Sequence, residues 1–289
     1  MSGGEQLSYK STRVQRLRRL LARRDFREAE GRFVAEGPKL LGEVLAAGLG
    51  IETVFVAPGW RLAASGRHIG ELLERSRARG AEVAELAPGV LERVAGTTTP
   101  QPVLAVVERP QRSLAELRRQ PLQLVVVCVG VQDPGNVGAL VRSAWAAGAG
   151  ALIACEGTAD PWGPKAVRAS AGGALHLCVI EAPSATEALG ELGGLGLKRL
   201  AAVAAGGEDC ATVDLARPVA LVFGNESAGL HLASLAGQID GAVSVPMPGG
   251  AESLNVAAAA AVICFEAARQ RRAKMGLQGA AIAGKLATL

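Results

Sequence analysis

Apolar positions in this chain fall into two arrangements. Short runs dominated by apolar residues recur at 124–129, 151–155, 175–180, 200–204, 219–223 and 242–245, separated by stretches with apolar residues at helical spacing. A strand without a polar side is one covered on both faces, so the alternation predicts a parallel sheet with helices on both faces. Val137, Leu140, Val141 and Ala144 mark one such helix. The last helix is expected to start near Ser253, whose side chain would cap an Ala-rich first turn, and to end with Arg269, Arg271, Arg272 and Lys274 before Gly276. Its early turns are apolar all round and predict burial. The first third reads as a small α/β module: a basic helix from about Ser11, a helix over 36–47, and strands at 51–56 and 103–107. Residues 109–121, rich in charge and holding Pro110, read as a linker, giving domains 1–108 and 122–275. The Gly/Ala-rich tail 276–289 is expected to be poorly ordered.

A length of 289 residues suits two domains, each with its own core. The net charge of +4 is mild but unevenly placed: Lys10, Arg13, Arg16, Arg18, Arg19, Arg23 and Arg24 fall together with no acid among them. Such a block attracts polyanions through counterion release, or is simply a solvated helix face. Aromatic residues make up 3% of the chain, too few for a nucleic acid to be recognised by base stacking. Trp145 reads as core or interface. The five cysteines form no C-x-x-C pair and sit mostly in apolar runs, as small core residues of a reducing compartment do. His68, His176 and His231 are isolated, so no metal is expected. No apolar leader or spanning run is visible, which predicts a cytoplasmic protein without membrane contact. The Arg-rich start also has the composition of a mitochondrial transit peptide.

Three apolar strands run into polar, Gly-rich loops. The first loop is Asp133-Pro134-Gly135-Asn136-Val137-Gly138, followed by Arg142; the second is Gly224-Asn225-Glu226-Ser227-Ala228-Gly229; the third is Pro246-Met247-Pro248-Gly249-Gly250, followed by Ser253-Leu254-Asn255-Val256. The first is not a P-loop, because Asn136-Val137 stands where Lys and Ser or Thr would hold phosphate and magnesium. No G-x-G-x-x-G is present, which argues against a dinucleotide fold.

Together the three loops resemble the signature motifs of the SpoU-like (TrmH-type) RNA ribose 2′-O-methyltransferases of the SPOUT superfamily. Asn136, Gly138 and Arg142 match the first motif, Gly224, Glu226 and Gly229 the second, and Pro246, Met247 and Ser253 to Val256 the third. The resemblance covers most of the chain, including Lys165-Ala166-Val167-Arg168-Ala169-Ser170-Ala171-Gly172, and a 32–37 segment similar to the start of an L30e-like substrate-binding domain. It implies a C-terminal deep trefoil knot, a homodimer with the first-motif helix near the shared interface, and S-adenosylmethionine held between the second and third loops. Leu221, Gly224, Asn225, Gly229, Val245, Met247 and Leu254 are the expected cofactor contacts. Asn225 departs from the small residue often found there, which bears on cofactor affinity.

Methyl transfer to a hydroxyl is an in-line displacement, so positioning is the larger part of catalysis. The resemblance makes Arg142 the leading catalytic residue, assisted by Asn136, Glu226, Ser253 and Asn255. Arginine stays charged in proteins, so a guanidinium that orients a phosphate or stabilises an emerging alkoxide is preferred to a neutral base. Arg13, Arg16, Arg19, Arg23, Lys165 and Arg168 are the expected RNA contacts, with Lys165 and Arg168 suited equally to a phosphate or to a carboxylate. Large-subunit rRNA is the expected substrate. A tRNA methyltransferase of the same chemistry and a non-catalytic RNA-binding or ribosome-assembly protein are the alternatives.

Overall fold

The computed structural model describes residues 6–62, 64–95, 100–119 and 121–274; the expected tail 276–289 lies outside the described residues. In chain order the elements are α1 (Thr12–Ala22), α2 (Arg24–Glu30), β1 (Arg32–Glu36), α3 (Pro38–Ala47), β2 (Ile51–Val56), α4 (Gly66–Arg77), β3 (Glu82–Glu85), α5 (Val90–Val94) and β4 (Val103–Glu108). A 3-10 turn at Leu114–Arg119 leads to β5 (Leu124–Cys128), α6 (Pro134–Ala146), β6 (Ala151–Cys155), α7 (Pro164–Ala169), α8 (Gly173–His176), β7 (Cys178–Ala182) and α9 (Ala185–Gly194). The chain continues through β8 (Lys198–Ala202), β9 (Glu208–Asp209), β10 (Val219–Phe223), β11 (Gly241–Ser244) and α10 (Val256–Lys274).

By contacts the chain gathers into two compact units, and neither is a single stretch. The first takes the described residues of Met1–Arg112 together with Asp133–Arg142 and Ala159–His176. Its four-stranded sheet has the order β1-β4-β2-β3, with β4 antiparallel to β1 and β2 and β2 parallel to β3. Val14, Leu17 and Leu20 recur every third residue along α1, so they share a face, and they close one core with Val34, Phe55, Leu104 and Val106 of the sheet and Val90, Leu91 and Val94 of α5. The helix expected from Glu36 starts later. Glu36 ends β1, Gly37 turns the chain at φ +101°, and Pro38 opens α3, where its missing N–H costs nothing.

Beside β1, the Trp162 ring packs on Phe33 with centroids 5.1 Å apart. Arg27 is buried, donates to Asp160 from Nε (2.8 Å) and Nη2 (2.6 Å), and donates from Nη1 to the Leu20 carbonyl at 2.6 Å. Stripping one partner from such a buried pair costs about 3–5 kcal/mol, because the other is left uncompensated.

The second unit takes Ser113–Gln132, Ser143–Thr158 and the described residues from Leu177 onward. Its seven strands are ordered β7-β6-β5-β10-β8-β11-β9 and every pairing is parallel. Val125, Val127, Ile153, Ile180 and Val222 line one face and pack on Ala188, Leu189 and Leu192 of α9. Leu117, in the segment read as a linker, is buried in the same core. The strand expected at 175–180 begins instead at Cys178, because Leu175 lies in the helical turn α8 that follows Gly172 (φ +96°). β8 starts at Lys198, earlier than its apolar run, since a strand's first residues reach solvent. β9 is a strand without a sequence signal: two acidic residues at the sheet edge, with no apolar run to announce it.

All five cysteines are free thiols, and four are buried. Burial pushes Cys155 and Cys264 up to about 12 and Cys128 higher still. Trp145 is 41% exposed, which removes it from the core.

Candidate active site

β8 lies between β10 and β11, and the loops leaving the three strands follow their carboxyl ends. In open parallel sheets ligands bind outside that edge. A cavity of about 420 Å³ opens there, and α10 supplies Ala259 and Ile263 to its wall. It gathers six of the seven expected cofactor contacts, Gly224, Asn225, Gly229, Val245, Met247 and Leu254, with Glu226, Ser253 and Asn255 on the same lining. Leu221 is the exception. It sits in mid-strand opposite Val126 and Leu200 with no exposed surface, and the wall at the end of β10 is Phe223. Ala202, Val203 and Ala204 join the lining without a signal in the sequence, because β8 reaches the site only as the spatial neighbour of β10, and a strand-by-strand pattern carries no strand order.

The second loop closes on itself. Asn225 N–H donates to the Gly229 carbonyl at 3.0 Å and Gly229 N–H returns the bond at 2.9 Å. Gly224 is the residue this closure requires, since a Cβ there would lie 2.5 Å from the Gly229 backbone. Asn225 Oδ1 accepts from the amides of Ser227 and Ala228, both at 2.9 Å, so the loop's inner donors are satisfied. Glu226 extends from the turn and accepts from Gln132 N–H at 3.1 Å.

The third loop turns through a bond from Gly250 N–H to the Met247 carbonyl at 3.0 Å. α10 starts at Val256, and its cap is Asn255, not Ser253: Asn255 Oδ1 accepts from Ala257 N–H at 2.9 Å. The apolar run begins only at Val256, which moves the cap onto the residue before it. Ser253 is exposed on the cavity lining.

Asn136 and Arg142 lie on α6, in the first unit. Asp133 caps this helix through Oδ1, accepting Asn136 N–H at 2.9 Å, and pairs through Oδ2 with Lys165 Nζ at 2.7 Å. The Lys165 bond, then the amide, hold the Asp133 carboxyl below the usual carboxylate range. Gly138 lets α6 and α7 touch: a Cβ there would be 2.3 Å from the Ala166 carbonyl oxygen. The Arg142 guanidinium is exposed and makes no ion pair among the described residues.

The other expected RNA contacts are engaged. Arg168 pairs with buried Glu36 at 2.5 Å, Arg13 with Glu82 at 2.7 Å, Arg16 with Glu52 and Glu30, and Arg23 with Asp25. Glu52, then Glu30, raise Arg16 further above its ordinary range. Arg19 lies over the Phe26 ring at 3.8 Å. The folded module thus brings to α1 the acids its own sequence lacks. Among the described residues no group of three or more His, Cys, Asp or Glu is placed to hold a metal ion, and no helix is long and apolar enough to cross a membrane.

A preformed cavity with apolar walls and a few polar groups, at the carboxyl edge of a parallel sheet, defines a protein that binds a small organic ligand. Comparison with known proteins gives that class its family. Residues 123–265 match the SpoU rRNA Methylase family and residues 11–105 an MRM3-like substrate binding domain. The chain is 32% identical over 271 residues to the 23S rRNA (uridine(2479)-2'-O)-methyltransferase of Streptomyces viridochromogenes, covering 92% of each. It is 31% identical over 260 residues to the 23S rRNA (guanosine(2553)-2'-O)-methyltransferase RlmP of Bacillus subtilis, covering 89% of this chain and 96% of that one. The crystal structure of the SpoU methyltransferase AviRb from Streptomyces viridochromogenes in complex with AdoMet superposes with a TM-score of 0.81 at 32% identity, covering 91% of this chain and 98% of that one. The chain belongs to the SpoU rRNA methylase family.

The cavity's residues fit the cofactor this family implies. Its volume suits a nucleoside-sized molecule, Val245, Met247, Leu254 and Ile263 offer apolar walls to a purine, and Glu226 offers a carboxylate to a cationic ligand. The Gly224 backbone lies where a side chain has no room.

Proposed function

We propose that this protein transfers a methyl group from S-adenosylmethionine to a ribose 2′-hydroxyl of large-subunit rRNA. The observation that carries the reading is the cavity, built where the second and third motif loops meet and lined by six of the seven expected cofactor contacts. When bound, the cofactor supplies an electrophilic methyl group. The chain supplies position and charge. Arg142 is the proposed catalytic residue, a guanidinium that orients a phosphate or stabilises the emerging alkoxide; its exposure and lack of an ion pair leave it able to meet an anion. Asn136, Glu226 and Ser253 are proposed as hydrogen-bonding partners of substrate or cofactor, while Asn255 holds the start of α10 through its cap.

RNA is proposed to lie along α1 and α7, meeting Arg13, Arg16, Arg19, Arg23, Lys165 and Arg168, and all of these but Arg19, which lies over Phe26, exchange carboxylate partners for phosphates there. A homodimer is proposed, supported by the exposed Val262 and Phe265 of α10, on one helix face, and by exposed Trp145. Each active site then draws on both chains. A trefoil knot is proposed from the family alone; Gln270 of α10, whose side chain donates to the carbonyls of Cys210 and Val213 and accepts from Leu215 N–H, ties the 210–215 loop to the last helix. A cytoplasmic location is proposed with the substrate.

The test is incorporation of label from tritiated S-adenosylmethionine into separate pools of unmodified large-subunit rRNA, small-subunit rRNA and bulk tRNA, with Arg142→Ala as control. Label in large-subunit rRNA that blocks alkaline cleavage at one linkage, and is lost in the variant, supports the proposal. Label confined to tRNA would replace the substrate. Cofactor binding without label in any pool would point to a substrate present only in an assembly intermediate, and no cofactor binding would leave a non-catalytic RNA-binding protein.

A further inference from the structure

Three neighbouring strands of the second unit, β6, β5 and β10, are joined beyond their carboxyl ends by one chain of hydrogen bonds. It begins at Thr158, past β6, a side chain buried to 4% exposure. Its hydroxyl donates to the Cys128 carbonyl at 3.0 Å and accepts from Gly130 N–H at 3.1 Å, so both of its capacities are used at the end of β5. Gly130 adopts φ +68°, a left-handed conformation that points its N–H at Thr158 and its carbonyl at Asn225. Asn225 Nδ2 donates to that carbonyl at 2.9 Å, while Asn225 Oδ1 accepts the two amides that shape the second loop.

We infer that Thr158 and Asn225 are positioning residues for the cofactor loop. Thr158 fixes the backbone at Gly130, Gly130 holds the Asn225 amide, and Asn225 folds residues 225–229 into the shape that lines the cavity before any ligand arrives. A loop held in its bound shape avoids the ordering cost of binding. This rests on the cavity being the cofactor site. It also accounts for asparagine in the second motif: a serine lacks the reach to donate to Gly130 while accepting from Ser227 and Ala228.

The test uses the full-length protein, calorimetric titration with S-adenosylmethionine, methyl transfer rates, and melting without cofactor. Thr158→Val and Asn225→Ala should each weaken cofactor affinity about tenfold, and Thr158→Val, which does not line the cavity, should raise the cofactor KM with kcat at saturation retained. Thr158→Ser, which keeps the hydroxyl, should bind within about twofold of wild type. Because the residues act in series, the double variant should bind little worse than the weaker single; additive losses, near a hundredfold, would overturn the coupling. Should Thr158→Val not fold, Asn225→Asp decides, since it keeps an acceptor for Ser227 and Ala228 and replaces the donor by a charged oxygen that the Gly130 carbonyl repels. Wild-type affinity in Asn225→Asp would sink the inference while the cofactor reading stands. A wild-type protein that binds no S-adenosylmethionine would remove both.

Discussion

Arg142 and Arg16 carry the same guanidinium in opposite conditions. Arg16 is held between Glu52 and Glu30, so its charge is answered within the fold. Arg142 is exposed and makes no ion pair among the described residues. Arg142→Ala should therefore abolish methyl transfer while calorimetric cofactor affinity stays within about twofold, and Arg142→Lys should fail nearly as badly, since an ammonium cannot present the planar fork. Arg16→Ala should instead lower stability by no more than about 1 kcal/mol, because its partners are partly solvated. The buried thiols give a pH dependence. Cys155 and Cys264 rise from 9.0 to about 12 on folding, so the neutral form is favoured in the folded state. Their contribution is fully present below pH 9 and is lost as pH rises toward 12. Urea unfolding at pH 10.5 should show lower stability than at pH 8, with a smaller drop in Cys155→Ala. At this scale the motif residues were legible, because their identities carry chemistry. Partnerships were not: Arg168 meets Glu36 across 132 residues, and no local spacing encodes that pair.

Among the elements, β6 and β10 follow their apolar runs to the residue, because both faces of a central strand are buried. β7 and α10 shifted where a glycine or a cap, not hydrophobicity, set the boundary. β3 and β9 are illegible in the sequence because their acidic residues leave no apolar signature. The first motif's glycine gains a physical meaning here. With the Ala166 carbonyl oxygen 2.3 Å from where its Cβ would be, Gly138→Ala must push α6 off α7. Such overpacking costs roughly 1–3 kcal/mol. The variant should melt several degrees lower and lose methyl transfer by more than its unfolded fraction explains; wild-type activity in a protein of unchanged melting temperature would show that the contact is dispensable.

For the whole molecule, the class of fold was legible and the order of strands was not. Alternating runs announce a parallel sheet, but that β10 lies between β5 and β8, and so where the cavity opens, depends on contacts no single segment specifies. The exposed apolar face of α10 belongs to this scale too. If the proposed dimer forms through this face, Phe265→Asp combined with Val262→Asp should give a monomer in light scattering and lower methyl transfer by about tenfold or more, because a buried interface charge without a partner is costly. A variant that remains dimeric with full activity would place the interface elsewhere.

The buried ion pair between Arg27 and Asp160 bears on synthesis. Its members are 133 residues apart, and the ring that covers Phe33 is that of Trp162. While the ribosome is still making the central third of the chain, the amino-terminal module already carries a cation bound for burial, the Glu36 carboxylate and an aromatic face, all without their mates. The amino-terminal module therefore leaves the ribosome unfinished and is completed by residues that arrive a hundred positions later. A chain cut short at residue 112 inherits that incomplete state permanently.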